Sequence, residues 1–143
     1  MGLILDTSAL VAWERAQASG EQIDLSPDEL ILIPAVVWAE ALIGVRVAAT
    51  SRQAAQRRAR LEALRSVTQI EPFTPHLAEH YADIFSELST AGTLISQNDI
   101  AVAATARAIG YGVLVGLNDE PRFRLVRNLR VQVLRPHFGP ANS

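Results

Sequence analysis

The sequence predicts a single α/β domain with a central parallel sheet of about four to five strands and helices on both faces. Three observations carry that expectation. Short apolar runs alternate with segments of helical periodicity along the whole chain, the pattern of strands linked by crossover helices. Glycine, proline and small polar residues punctuate the boundaries. The length of 143 residues, 49% of them hydrophobic and 20% charged, suits one compact core and no more.

Residues 3–5 (Leu-Ile-Leu) read as a short buried strand ending at Asp6. Thr7 and Ser8 then precede a helical pattern through Leu10, Val11 and Trp13 to about Ala18. A polar loop containing Gly20 and Pro27 leads to a second strand, residues 30–33, and Pro34 stands where a proline opens a helix. Val37, Trp38, Ala41, Leu42 and Val45 follow helical spacing. Residues 51–65 alternate arginine, alanine and leucine, which predicts an exposed helix with Leu61 and Leu64 as its apolar teeth. A third strand is expected within residues 67–73. Thr74 and Pro75 cap a helix over residues 76–90, with Leu77, Tyr81, Ile84, Phe85 and Leu88 on one face and Gly92 as its stop. Gln97 or Asn98 opens an alanine-rich helix, residues 99–109, suited to close packing on a sheet, and Gly110 and Gly112 end it. Residues 113–115 form a fourth strand. Asn118, Asp119, Glu120 and Pro121 signal a loop, and residues 131–134 a last strand. The expected domain spans residues 1–135, with residues 136–143 as a short C-terminal tail.

Composition excludes several chemistries. Cysteine is absent, which removes thiolate metal sites, cysteine nucleophiles and disulfides. Lysine is absent too, which removes P-loop, Schiff-base and serine–lysine mechanisms. No apolar run approaches the ~20 residues of a membrane span, and the N-terminus lacks the basic start of a signal peptide. The expected address is the cytoplasm, with no membrane partner.

The net charge of −2 and pI near 5.9 are not those of a strongly basic nucleic-acid binder. The thirteen arginines are nevertheless clustered, with Arg52, Arg57, Arg58, Arg60 and Arg65 in one segment and Arg122, Arg124, Arg127, Arg130 and Arg135 in another. Guanidinium forks grip phosphates bidentately, so these patches are candidate backbone contacts, with solvated helix faces as the alternative.

The acids are more informative. Ligands of open α/β sheets bind beyond the carboxyl ends of the strands. Asp6 ends the first strand and Asp119 lies four residues beyond Val115, so neighbouring strands would bring both to one rim. Glu40 stands in a largely apolar helix, where a carboxylate needs a partner or a cation. Asp99 opens the alanine-rich helix. Carboxylates without nearby bases point to an oxygen-seeking divalent ion, Mg²⁺ with Mn²⁺ as substitute. An N-cap role for each aspartate is the competing explanation. His76 and His80 have metal-ligand spacing but no third partner, so they are expected to be exposed polar positions.

Four segments in order, LILDTSALVA, PAVVWAEAL, NDIAVAATARAIG and VLVGLNDEPRF, resemble those of the PIN-domain ribonucleases, most closely the VapC-type toxins of type II toxin–antitoxin pairs. The resemblance covers almost the whole chain. It implies that Asp6, Glu40 and Asp99 are catalytic, metal-holding acids and that Asp119 is the fourth, with Asn118 as the alternative. It also implies that Thr7 or Ser8 supports the first acid. The chain departs from the family where Thr-x-Asn or Thr-x-Asp is the commoner pattern, followed by Asp-Phe; here stand Gly116-Leu117-Asn118-Asp119 and then Arg122-Phe123.

The implied function is a Mg²⁺-dependent endoribonuclease toxin that cleaves tRNA or rRNA, forms a homodimer and is inhibited by a VapB-type antitoxin. Arg57, Arg58, Arg60, Arg122 and Arg124 are the expected RNA contacts; Trp13, Trp38 and Leu42 are expected first as core residues and second as a wall for the antitoxin, with Trp38 preferred among them. Alternatives are an inactive PIN-fold binding or regulatory module and a non-toxin RNA-processing nuclease. A receiver domain or a haloacid-dehalogenase phosphatase would need a lysine that this chain lacks.

Overall fold

The computed structural model describes residues 2–23 and 25–137. Its centre is β1 (Gly2–Leu5), buried along its whole length, followed at once by helix α1 (Thr7–Ser19). A two-residue strand, β2 (Gln22–Ile23), precedes the second unit, which is strand β3 (Leu30–Pro34) and helix α2 (Ala35–Arg46). After it come α3 (Ser51–Arg65), β4 (Gln69–Glu71) and α4 (Pro75–Ala91). Helix α5 (Gln97–Ile109) leads into β5 (Gly112–Val115), and β6 (Val131–Val133) is the last strand of the main sheet. The sheet order is β4-β3-β1-β5-β6, and every neighbouring pair is parallel. The expected parallel α/β sheet is therefore present, with five strands.

The core follows from the sequence. Leu3, Ile4, Leu5, Ile33, Val113, Leu114 and Val115 are fully inaccessible to solvent, as strands covered on both faces require. Helix α5 buries Ala101, Ala103, Ala104 and Ala106, and these small side chains let it approach the sheet while α4 packs against it. Thr50, Thr74 and Ser96 cap α3, α4 and α5 through side-chain oxygens. Gly92 and Gly110 end α4 and α5 at φ of 72° and 75°, a region that costs other residues strain.

Several expectations need correction. The polar loop after α1 contains β2, which pairs antiparallel with β7 (Pro136–His137). The expected tail thus begins as a strand; residues 138–143 lie outside the described residues. Two-residue strands carry no readable alternation, so neither was visible in the sequence. Pro34 closes β3 and stands as the N-cap of α2, one position before the helix. Val67 is exposed, and the third expected strand shortens to Gln69–Glu71. Residues expected as loop after β5 include a single helical turn, α6 (Glu120–Phe123), whose Phe123 plugs the core.

Helix α3 is less exposed than its arginines suggest. Leu61 and Leu64 are buried, and the Nε atoms of Arg57 and Arg60 lie 3.7 and 3.8 Å from Oε1 of Glu14, a buried residue of α1. These are ion pairs, too long to be hydrogen bonds. The Arg57 guanidinium also lies against Gly44 of α2, in space that a Cβ would fill. Among the described residues no helix is long and apolar enough to cross a membrane.

Candidate active site

Three chain segments leave the carboxyl edge of the sheet side by side. Strand β1 pairs with β3 on one side and β5 on the other, so the residues that follow these strands share one rim. Asp6 follows β1, Glu40 lies in the helix after β3, and Asp119 follows β5. Asp99, in the first turn of α5, completes the set. With Thr7, Ser8, Ser96, Asn98 and Arg122, these four acids line one cavity of about 490 Å³.

Asp6 is the most deeply placed, only 2% exposed. Its position follows from its backbone role, because it caps α1 and Oδ1 accepts the Ala9 N–H at 2.7 Å. Ser8 Oγ lies 2.8 Å from both Asp6 oxygens and accepts the Gly116 N–H at 2.9 Å. The chain of donors thus runs from the backbone after β5 through Ser8 to Asp6. Of the two hydroxyls expected to support this acid, Ser8 makes the hydrogen bond and Thr7 lines the cavity. Burial pushes the Asp6 carboxyl up to about 7 from an ordinary 3.8. The Ala9 and Ser8 hydrogen bonds oppose the rise, and repulsion from Asp119 and Asp99 adds to it.

Gly116 makes the Ser8 bridge possible. A Cβ there would stand 2.9 Å from Ser8 Oγ and 3.1 Å from Ser8 Cβ. Gly116→Ala is therefore expected to turn the hydroxyl away from Asp6. The expected cost is about 1–2 kcal/mol in stability, measured by urea unfolding, and about tenfold in any activity that depends on Asp6. Combining it with Ser8→Ala should add little further loss, since both remove the same hydrogen bond.

Glu40 is half-buried, and its Oε1 accepts from Asn98 Nδ2 at 2.7 Å. The asparagine expected only to open a helix is thus the residue that steadies Glu40. Asp99 and Asp119 are both held by Arg122, which donates from Nε to Asp99 Oδ2 at 3.2 Å and from Nη2 to Asp119 Oδ1 at 2.6 Å. Burial works against the Arg122 charge, but Asp99 and then Asp119 outweigh it and hold the guanidinium above its ordinary pKa. Asp119 lines the cavity; Asn118 is exposed and does not.

The other sequence candidates lie elsewhere. Arg57 and Arg60 line a separate recess of about 240 Å³ with Glu14, and Arg58 pairs with Glu62 one turn along its own helix. Arg124 pairs with Glu120, and neither residue lines the cavity. Trp38 is buried, with the Arg65 guanidinium 5.6 Å from its ring centroid, so it presents little wall to a partner. His76 and His80 stack edge to face, and among the described residues no acid joins them in a metal-holding group.

The cavity's donor set is all oxygen, apart from the Asn98 amide and the Arg122 fork. Four carboxylates face a single guanidinium, a formal excess of three negative charges in a site whose innermost acid is buried. Such a set fits a hard divalent cation. Among the described residues, no three acids or histidines are already drawn together as a cage, and Arg122 spans the two outer acids instead.

The PIN domain family model matches residues 3–128. The chain is 34% identical to "Ribonuclease VapC1" of Rickettsia felis, over 92% of this chain and 95% of that protein. Among solved structures, it is similar to the crystal structure of VapBC-5, a toxin–antitoxin system of Mycobacterium tuberculosis, with a TM-score of 0.72 and 29% identity over 94% of this chain and 98% of that one. The fold also matches VapBC2 from Rickettsia felis bound to a promoter DNA fragment, with a TM-score of 0.77 at 22% identity over 93% and 98% of the two chains.

Proposed function

Since the chain belongs to the PIN-domain family, with VapC ribonucleases among its relatives, we propose that it is a Mg²⁺-dependent endoribonuclease, the toxin of a toxin–antitoxin pair. The observation that carries this reading is the convergence of Asp6, Glu40, Asp99 and Asp119, from four separate stretches, on one cavity. Asp6, Asp99, Asp119 and Glu40 would hold the cation, with Mn²⁺ as a substitute. A bound divalent ion would supply an activated water and charge neutralisation at phosphorus and the leaving oxygen.

The chain's own residues prepare the site. Ser8 and the Ala9 N–H fix both oxygens of Asp6, so this ligand needs little reordering. Asn98 aims Glu40 across the cavity. Lysine, histidine and cysteine are missing from the lining residues, and the Ser8 and Ser96 hydroxyls are engaged with Asp6 and the α5 cap, so this reading assigns the attack to water and not to a side chain. Arg122, which lines the cavity, and Arg124, two positions further on, are the proposed contacts for an RNA phosphate.

The partner is proposed to be a VapB-type antitoxin, as in the similar VapBC structures, and the working form a homodimer in the cytoplasm. The target is proposed to be tRNA or rRNA. Cleavage of total RNA by the purified protein, abolished by chelator and by added antitoxin and restored by Mg²⁺, tests the reading. Metal-independent cleavage, or none under any condition, would reject it.

Arg57, Arg58 and Arg60 form the proposed rail for RNA away from the cavity. Because Arg57 and Arg60 also neutralise buried Glu14, their replacement is best made together with Glu14→Gln. The variant should bind RNA more weakly, and the slope of log affinity against log salt should fall by about one for each phosphate no longer neutralised. An unchanged slope would remove α3 from the interface.

A further inference from the structure

Asp99 and Asp119 are not free acids. One planar guanidinium spans them, with Nε on Asp99 and Nη2 on Asp119, at 3.2 and 2.6 Å. The two carboxylates come from different elements, α5 and the turn before α6, so Arg122 ties two walls of the cavity together. It is the only base among the lining residues. Its backbone is fixed, since α6 follows Asp119 directly and Phe123 is buried next door. Its side chain is 46% exposed, whereas those of Asp99 and Asp119 are 18% and 19% exposed. The guanidinium can therefore swing into solvent without repacking the core, while the acids stay where they are.

Arg122 takes one oxygen of Asp99 and one of Asp119, and its positive charge stands within a few ångströms of any divalent cation seated on the two acids, where like charges repel. We propose that Arg122 is a tethered counter-ion that a divalent cation must displace from Asp99 and Asp119, so that ion binding to this protein is an exchange with its own arginine. The inference rests on the reading that the cavity takes a divalent ion. Once displaced, the fork hangs at the cavity mouth, where an RNA phosphate would arrive.

The test needs no RNA. Mn²⁺ and Mg²⁺ are titrated calorimetrically into the metal-stripped full chain, as wild type, Arg122→Ala, Arg122→Gln and Arg122→Lys. Arg122→Ala and Arg122→Gln should bind Mn²⁺ about tenfold or more tightly than wild type, because a competing positive charge is gone. Arg122→Lys should stay near wild type. In chelator, Arg122→Ala should melt below wild type, and saturating Mn²⁺ should close or reverse that gap. A purely structural arginine would leave the melting gap unchanged with the ion. Should Arg122→Ala fail to fold, Arg122→Gln decides. Equal Mn²⁺ affinities in wild type and Arg122→Gln would overturn the exchange while leaving the metal site standing. No ion binding by any of the proteins would overturn both.

Discussion

Asp6→Asn should stabilise the metal-free protein at pH 8 by up to about 4 kcal/mol and abolish RNA cleavage in the same stroke. The two effects have one source, a carboxylate held in a buried position whose charge the fold does not fully compensate. Its pKa is about 7 in the folded chain against an ordinary 3.8, so the native state holds a proton that the unfolded chain has released. Between those two values the native state binds more protons, and stability falls as pH rises; above about 7 the full penalty is present, and below the unfolded value it vanishes. Asparagine carries no charge, yet its side-chain oxygen still accepts from Ala9 and Ser8 and still caps the helix. Urea unfolding in chelator should show variant and wild type nearly equal at about pH 4, with the gap opening to its maximum above about pH 7. A gap of the same size at both ends would show that the charge of Asp6 is not its cause. Saturating Mg²⁺ should narrow the gap by stabilising wild type more than the variant.

Glu40→Gln and Asp99→Asn are expected to lower cleavage by about 10²–10³-fold each, with the fold intact. Both acids are partly open to the cavity and make one side-chain hydrogen bond or ion pair in the structure, so their loss costs little stability. Asn98→Ala should cost less, about tenfold, because it removes only the residue that aims Glu40. Single-turnover cleavage across a Mg²⁺ titration separates the cases. The ligand variants should need more ion and remain slow at saturation. Asn98→Ala should retain its ion requirement, and an effect equal to that of Glu40→Gln would make Asn98 a direct participant.

Much of this acid cluster was readable because the carboxyl ends of parallel strands form the rim where ligands bind, even though an aspartate there can also cap a helix, as Asp6 does. The run from Leu3 to Leu5 declared a buried strand, and Asp6 directly after it announced the rim. Glu40 stood out as a carboxylate among apolar neighbours, and the alanines of α5 announced a helix pressed on the sheet. What stayed hidden depends on pairings between residues distant in sequence. Glu14 and Arg60 lie 46 positions apart, and nothing local in the arginine-rich segment says that two of its members turn inward to a buried acid. The Glu40–Asn98 pair, 58 residues apart, is hidden for the same reason. Arg122 was legible as a basic residue near the acidic loop, but its bridging of two acids needs the turn of α6, which four residues are too few to advertise. Trp38 was readable first as core and only second as an anchor for a partner, and it is buried in the core.

The parallel register of β1 with β5, Leu3 opposite Gly112, has a consequence for biosynthesis. Strand β1 and Asp6 are synthesised about a hundred residues before their neighbour β5 and the fourth acid, Asp119. Folding must therefore wait on a distant pairing, and a truncated translation product ending before Asp119 carries only part of the acid set.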